Sequence, residues 1–202
     1  MSRFFVILCE DLQASCFLRR ALIAAGARRH DIRVCPFPDN RFRAQSASDD
    51  RPVDGYRVYA CGSQHVRENY PSELVAIRAR SAKRDAALVV HIDVDNSSTS
   101  ERTVQDRQRE LEGACRARGV PARRDSDPVA HIVPRRNIET WIHFLRGNAP
   151  IDEAVEYPKW GGREAEAAEA AVDFVARSRE PGAPLGAPPS LAMGLAEFHR
   201  VL

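Results

Sequence analysis

The stretch ALVVHIDVDNSSTSE, Ala87 to Glu101, decides the fold class of this chain. Its first part, Ala87 to Ile92, is a short and largely apolar run, which is typical of a strand buried on both faces of a parallel sheet. Asp93 and Asp95 follow at once. Because alternate residues of an extended chain point the same way, we expect both carboxylates on one side of the ribbon. The stretch therefore predicts a buried strand that delivers two acids to one edge of a sheet.

Further strands and helices alternate with this one along the chain. Apolar runs predict strands at Arg3 to Cys9, Ile32 to Pro36 and Val129 to Val133. Helical spacing predicts helices at Gln13 to Ala25, at Leu74 and Ile77 after an Asn69 cap, from about Ser100 to Arg118 behind a Ser98 and Glu101 capping box, and at Ile138 to Leu145. Alternating strands and helices imply right-handed crossovers. We expect an α/β domain over residues 1–148, with a mainly parallel, Rossmann-like four-stranded sheet flanked by helices.

Residues 149–202 differ in composition from the rest of the chain. Arg163 to Arg179 is rich in alanine and glutamate and predicts a helix, and the proline-rich segment EPGAPLGAPPS follows it. A last helix is expected to run to Leu202 with Ser190 as its cap. We expect a helical C-terminal extension that packs on the domain or on a partner.

Composition limits the class of protein. The chain has 202 residues, of which 44% are hydrophobic and 29% charged, as in a folded globular domain. No apolar run approaches the roughly 20 residues of a membrane span, and MSRFFVILCED lacks the pattern of a secretory signal. We therefore expect a cytoplasmic protein that does not enter the membrane. The five cysteines are dispersed without a Cys-x-x-Cys pair, which argues against a disulfide framework or a zinc site.

The charge of the chain gives a mixed indication about nucleic acid. The net charge of +2 predicts no strong general attraction to a polyanion. Of the 30 basic residues, however, only Lys83 and Lys159 are lysine, and arginine is the side chain best shaped to grip phosphate. A genome rich in G and C would produce the same bias. If nucleic acid is the ligand, a partner protein or a homodimer would help to hold it.

Acidic residues follow three of the predicted strands. Glu10 comes after the first, Asp93 and Asp95 after the third, and Glu139 shortly after the fourth. The carboxyl ends of parallel strands meet at one edge of the sheet, so these side chains are expected to converge there. Carboxylates in close proximity repel one another unless a cation lies between them, and Mg²⁺ or Mn²⁺ bound there could polarise a phosphoryl oxygen. The alternative is structural, because Asp-x-Asp beside Asn and Ser also occurs in turns and helix caps.

Arg135 and Arg136 precede the helix that carries Glu139. They could hold a nucleic-acid phosphate beside the metal, or they could be solvated charges at a strand end, and the residues do not choose between these two interpretations.

Four motifs in this order resemble a known family. They are VILCEDLQASCFLRRALIAAG, CGSQHVRENYPSEL, HIDVDN and RRNIETWIHFL, and together they span about residues 3 to 147. The glutamate that closes the first strand and the Asp-x-Asp that closes a later one resemble the Toprim fold of topoisomerases, primases and OLD-type nucleases. The set is most similar to small stand-alone Toprim-like proteins that occur beside ATPases in bacterial defence loci.

The resemblance implies a function and assigns roles to residues. Glu10 would be the acid/base or metal-positioning glutamate, Asp93 and Asp95 would hold Mg²⁺, and Glu139 would be an additional acid. The chain would then be a magnesium-dependent nuclease, an effector in an anti-phage system with an ATPase partner. The chain departs from the family at Asp11, where the family usually has glycine.

Three alternatives stay open at this point. Asp11 makes a catalytically inactive Toprim-like scaffold, which binds a partner or nucleic acid, a serious rival. A receiver-like phosphoacceptor module fits the acidic first turn, but Asp93 comes too far along the chain and no lysine follows a suitable later strand. A haloacid dehalogenase-type phosphatase would carry Asp-x-Asp on its first strand and would need a later lysine in a setting that Lys159 does not offer.

Overall fold

The computed structural model describes residues 3–35, 62–94, 103–148, 150–157 and 164–202. The described strands are β1 (Phe4–Leu8), β2 (Ile32–Val34), β3 (Ala86–His91) and β4 (Val129–Ile132). The described helices are α1 (Leu12–Ala24), α2 (Gly62–Ser81), α3 (Val104–Ala117), α4 (Ile138–Leu145), α5 (Glu164–Ser178) and α6 (Pro189–His199). A 3-10 turn, Arg29–Asp31, leads into β2.

The four strands form one parallel sheet in the order β2-β1-β3-β4. β1 and β3 are the inner strands, with Leu8 of β1 opposite Val90 of β3 and Ile132 of β4 opposite His91 of β3. Pairing continues beyond the strand ends, since the N–H of Val94 donates to the carbonyl of Pro134 at 3.0 Å. The expected α/β class with a parallel four-stranded sheet is confirmed, and the arrangement is compatible with a Rossmann-like fold.

The sheet has a hydrophobic core on each face. Ala87 and Val89 of β3 belong to the core shared with α1, α4, α5 and α6, whereas Leu88 and Val90 belong to the core shared with α2 and α3. All six residues of β3 are buried, as the apolar run predicts. The helices cover both faces of the sheet. The edge formed by the carboxyl ends of the strands therefore remains available for polar side chains.

Helices α5 and α6 contribute to the same core as α1. Phe174 of α5 lies at its centre, with ring centroids 5.4 Å from Phe17, 5.0 Å from Phe198 and 5.9 Å from Trp141. Burying large aromatic side chains is one of the strongest contributions to a core, so this cluster fixes both helices against the sheet domain. In the described part of the chain, no helix combines the length and the apolar character needed to cross a bilayer.

Three predicted helix starts are wrong. α2 begins at Gly62 rather than at Asn69, and Pro71 lies inside it. An internal proline costs about 3 kcal/mol because it lacks an N–H donor. The burial of Val66 and Tyr70 against the sheet offsets that cost, and the Asn69 side chain donates instead to the carbonyl of His65 at 2.9 Å.

The first residues of α3 and α6 differ from the predicted ones because other residues cap these helices. α3 begins at Val104, where Thr103 and Asp106 form the capping box; the predicted pair Ser98 and Glu101 lies outside the described residues. α6 begins with Pro189, and Ser190 lies within its first turn. Proline suits this position because its missing N–H would have no helical partner.

A buried carboxylate caps α6 in place of the predicted serine. Glu153 accepts the backbone N–H of Ser190 at 3.0 Å and also the Ser190 hydroxyl. The same hydroxyl oxygen accepts the indole N–H of Trp141 at 2.9 Å. This network ties α6 to α4.

Candidate active site

The structure brings Glu10 and Asp93 into contact at the carboxyl edge of the sheet. Each lies two residues beyond the end of its strand, and β1 and β3 are neighbours. Oε2 of Glu10 accepts the backbone N–H of Asp93 at 2.9 Å. Asp93 is 6% exposed and Glu10 is partly buried. Two of the predicted acids therefore share one polar cluster.

Two helices begin at this edge, beside the turn that follows β1. Asp11 is the N-cap of α1, and its Oδ1 accepts the N–H of Ala14 at 2.8 Å. The N–H of Gly62, the first residue of α2, donates to the backbone carbonyl of Glu10 at 3.1 Å. Asp11 thus has a local structural role as a helix cap. The amino ends of α1 and α2 also favour negative charge at this edge.

His91 is a member of the cluster that the sequence analysis missed. It is fully buried, and its Nε2 lies 3.1 Å from Oδ1 of Asp93, within ion-pair distance. Burial acting alone would lower the pKa of His91, but the Asp93 carboxylate, with smaller contributions from Asp11 and Glu10, raises this pKa to about 9. The Asp93 carboxylate therefore favours the protonated form of the imidazole, which balances part of the negative charge.

Arg107 supports the main chain of the cluster from α3. This buried side chain donates from Nε to the carbonyl of Asp93 at 2.8 Å and from Nη2 to the carbonyl of Val94 at 3.3 Å. Its Nη1 donates to Oε2 of Glu110 at 2.8 Å. Hydrogen bonds from a charged donor are stronger than neutral ones, so Arg107 fixes the direction in which β3 delivers Asp93.

The two missed residues differ in how far the sequence could reveal them. His91 precedes Asp93 by two positions in an extended run, and strand alternation puts both side chains on one side. A histidine inside an apolar run was therefore a usable signal. Arg107 gave none, because its contact with Asp93 depends on how α3 packs against β3.

Of the other predicted site residues, Glu139, Arg135 and Arg136 follow β4 at the same edge of the sheet. Glu139 is buried at 1% exposure in the first turn of α4, two residues after the Asn137 cap. Arg135 is exposed, and its backbone N–H donates to the Ser190 hydroxyl at 3.2 Å. Arg136 forms an ion pair with Glu156, at 3.0 Å between Nη2 and Oε2. Asp95 lies outside the described residues.

The chain matches no family model, no curated protein and no solved structure. The chemistry of the cluster is therefore the basis for assigning a function.

The carboxylate oxygens of the cluster are the type of ligand that a hard divalent cation prefers. Mg²⁺ typically binds one or two carboxylates and completes its shell with waters and phosphate oxygens, and Glu10 and Asp93 supply two carboxylates. Among the described residues no three His, Cys, Asp or Glu side chains form a complete metal-binding group, and the second acid of the Asp-x-Asp pair is not among those residues.

Cys9, which precedes Glu10, does not provide a nucleophile. The side chain is buried, and desolvation together with the nearby Asp11 raises the pKa of its thiol. The thiolate is the reactive form of cysteine, so a thiol held protonated is inert. This residue acts as a small apolar member of the core.

Proposed function

We propose that this protein is a magnesium-dependent nuclease that hydrolyses phosphodiester bonds of nucleic acid at the Glu10 and Asp93 cluster. The observation that carries the proposal is the hydrogen bond between the Glu10 carboxylate and the N–H of Asp93, which joins acids from two strand ends. The resemblance to Toprim-like nucleases supports the same assignment from the motifs. Toprim membership is part of the proposal.

In this proposal Glu10 and Asp93 hold Mg²⁺, and Asp95 is expected to join them. When bound, the cation would neutralise charge that develops on the phosphoryl group and would lower the pKa of a coordinated water. His91 lies within ion-pair distance of Oδ1 of Asp93, and Arg107 fixes the main chain of Asp93. The exposed Arg135 is available to contact a backbone phosphate, and Arg136 could exchange Glu156 for a phosphate.

The family resemblance and the modest net charge both indicate that the protein works with partners. An ATPase, and a second copy of this chain, would help to hold a polyanionic substrate that a net charge of +2 attracts only weakly. The competing function is an inactive Toprim-like scaffold that binds nucleic acid or a partner without cleaving. Asp11, at the position where the family usually has glycine, still supports this alternative, and its side chain caps α1.

Cleavage of labelled single-stranded and duplex DNA and RNA, with Mg²⁺ or Mn²⁺ and with EDTA as a blank, tests the proposal. We expect cleavage by the wild type that depends on the metal and that Asp93→Asn abolishes. The matched control is Asp85→Asn, which removes the same charge from the other end of β3, where Asp85 is exposed and pairs with Arg3. This control should cleave at the wild-type rate.

Isothermal calorimetry with Mn²⁺ separates the nuclease from the scaffold. A nuclease site should bind Mn²⁺ in the wild type and in Asp85→Asn but only weakly in Asp93→Asn. If nucleic acid binds to the wild type while neither cleavage nor Asp93-dependent metal binding is found, the scaffold is the correct function. Cleavage that persists in Asp93→Asn would show that the chemistry occurs elsewhere.

A further inference from the structure

An open groove lies between α2 and α3, on the face of the sheet opposite α1. Its volume is about 810 Å³, within the roughly 300–1,000 Å³ of typical ligand-binding clefts. Ser63 and Arg67 of α2 line one side, and Arg107, Gly113 and Arg118 of α3 and its C-cap line the other. We call this feature the α2–α3 groove.

The groove begins at the candidate active site. Gly62, next to Ser63, donates its N–H to the Glu10 carbonyl, and Arg107 donates to the Asp93 carbonyl. One wall is therefore bonded to the main chain of Glu10 and the other to that of Asp93. This end of the groove is therefore the end nearer to the candidate active site.

The charges in the groove favour an anion. Arg67 and Arg107 both donate to Oε2 of Glu110, at 3.1 and 2.8 Å, so two guanidinium groups share one carboxylate. Glu68, the other acid of the lining, accepts the side-chain amide of Gln64. Arg118 adds a third, exposed guanidinium. The lining carries one more positive than negative charge, and the exposed guanidinium of Arg118 offers planar donors suited to phosphate.

We propose that the α2–α3 groove holds one strand of nucleic acid by its phosphates and leads it to the candidate active site. This inference rests on the proposed function. Directly packed helices have axes about 8–10 Å apart, so a groove between them admits a single strand and excludes a duplex. No aromatic side chain is among its described lining residues, so base stacking adds nothing and the contacts are to the backbone.

Phosphate binding makes a quantitative prediction about salt. Each contact with a single strand adds about 0.7 to the slope of log affinity against log salt concentration. A concentration of about 0.05 M lies roughly 1.3 log units below 1 M, so one lost contact weakens binding about five- to tenfold there. Removal of Arg118 should therefore lower both the affinity at low salt and the salt slope.

Fluorescence anisotropy of labelled oligothymidylate and oligouridylate, in EDTA so that no cleavage occurs, tests this with the full chain. We expect Arg118→Gln to weaken binding about five- to tenfold at about 0.05 M salt and to reduce the slope by about 0.7. Arg116→Gln is the matched control, because this exposed arginine lies on the same helix outside the groove lining. It should change the affinity by less than about twofold.

A second pair of variants tests the floor of the groove. A Cβ added at Gly113 would meet no heavy atom within 4 Å, and Gly113 lines the groove, so Gly113→Glu adds a negative charge there without a clash at the Cβ. It should weaken binding more than tenfold, while the neutral Gly113→Gln should have a much smaller effect. The melting temperature of each variant establishes that it is folded.

The outcomes distinguish this inference from the proposed function. The proposed role of the groove is refuted if Arg118→Gln and Arg116→Gln weaken binding equally, or if the wild type binds neither oligonucleotide. Binding that depends on Arg118 in a protein without nuclease activity supports the groove and rejects the proposed function. Cleavage with normal kcat and KM in Arg118→Gln, together with unchanged binding, rejects the groove and leaves the nuclease intact.

Discussion

The carboxylate of Glu10 accepts a hydrogen bond from the backbone N–H of Asp93, a residue 83 positions later in the chain. The contact joins the turn after β1 to the turn after β3, on neighbouring strands. This hydrogen bond uses only the backbone of Asp93. The Oδ1 atom of the Asp93 side chain lies 3.1 Å from Nε2 of His91. Two acids and a buried histidine are thereby held in a fixed arrangement.

Glu10→Gln should abolish cleavage while preserving the fold. The amide oxygen of glutamine can still accept the Asp93 N–H, but the negative charge that would hold Mg²⁺ is lost. We expect the cleavage rate to fall by more than about 100-fold, beyond the 10- to 100-fold effect of a residue that only orients a ligand. A steady-state nuclease assay and Mn²⁺ calorimetry measure the two consequences.

Asp11→Asn is the control for this change. It removes the same charge from the adjacent position, and asparagine caps helices as well as aspartate does, so the bond to the N–H of Ala14 survives. We expect a rate within a few-fold of the wild type. If Asp11→Asn were as inactive as Glu10→Gln, Asp11 would belong to the reacting groups.

Replacement of Arg107 by methionine should destabilise the protein. Methionine keeps an apolar stem but leaves the buried carbonyls of Asp93 and Val94 without their charged donor. Each buried polar group left unsatisfied costs about 1–3 kcal/mol, so we expect the free energy of unfolding to fall by about 2–4 kcal/mol. Urea denaturation followed by circular dichroism measures this quantity.

Arg109→Met controls for the loss of an arginine from the same helix. The Arg109 side chain is 74% exposed and pairs only with Asp106 at the surface among the residues described. Its replacement should change the free energy of unfolding by no more than about 0.5 kcal/mol. Similar losses in the two variants would mean that Arg107 stabilises α3 in a general way and does not hold the end of β3.

Gly194→Ala should disrupt the contact between α6 and α4. A Cβ at position 194 would lie 2.2 Å from Cη2 of Trp141, and Trp141 is itself fully buried. Overpacking of a core costs about 1–3 kcal/mol, so the melting temperature should drop by several degrees. The helical Gly113, with open space around it, is the control: Gly113→Ala should raise the free energy of unfolding by about 0.5–1 kcal/mol. A neutral Gly194→Ala would contradict the close packing.

Stability should decrease below about pH 6.5 because of His131. Burial, with Arg123 and Arg200 nearby, holds the pKa of this histidine well below its usual value, and its Nε2 lies 2.9 Å from the Tyr70 hydroxyl. The unfolded chain binds a proton near pH 6.5 while the folded chain does not. The stabilisation is therefore complete above that pH and declines as the pH falls towards the folded pKa, by up to about 1.4 kcal/mol per unit.

Urea denaturation at several pH values between about 4 and 8 tests this dependence. His131→Phe replaces the ring with one that does not titrate, and it should flatten the slope below about pH 6.5 even if it lowers stability throughout. His199→Gln, a change at an exposed histidine, should leave the slope as in the wild type. An unchanged slope in His131→Phe would assign the acid sensitivity to another group.

Much of the fold could be predicted because it depends on local patterns. The continuous apolar run of β3 indicates burial on both faces, and the stripe from Ile138 to Leu145 specifies the buried face of α4, whatever the rest of the chain does. Helix starts were predicted less well. Asn69 has the local character of a cap, yet burial of Val66 and Tyr70 extends α2 towards Gly62, and that burial depends on residues distant in sequence.

Local pattern placed Glu10 and Asp93 after parallel strands, and the strand order then required both to lie at one edge. The chain order of residues could not establish which acids touch, that Asp93 raises the pKa of His91, or that Arg107 donates to the carbonyls at the end of β3. These features come from distances between segments far apart in the chain, where a shift of an ångström or two makes or breaks a hydrogen bond. Packing of the helices on the sheet sets those distances.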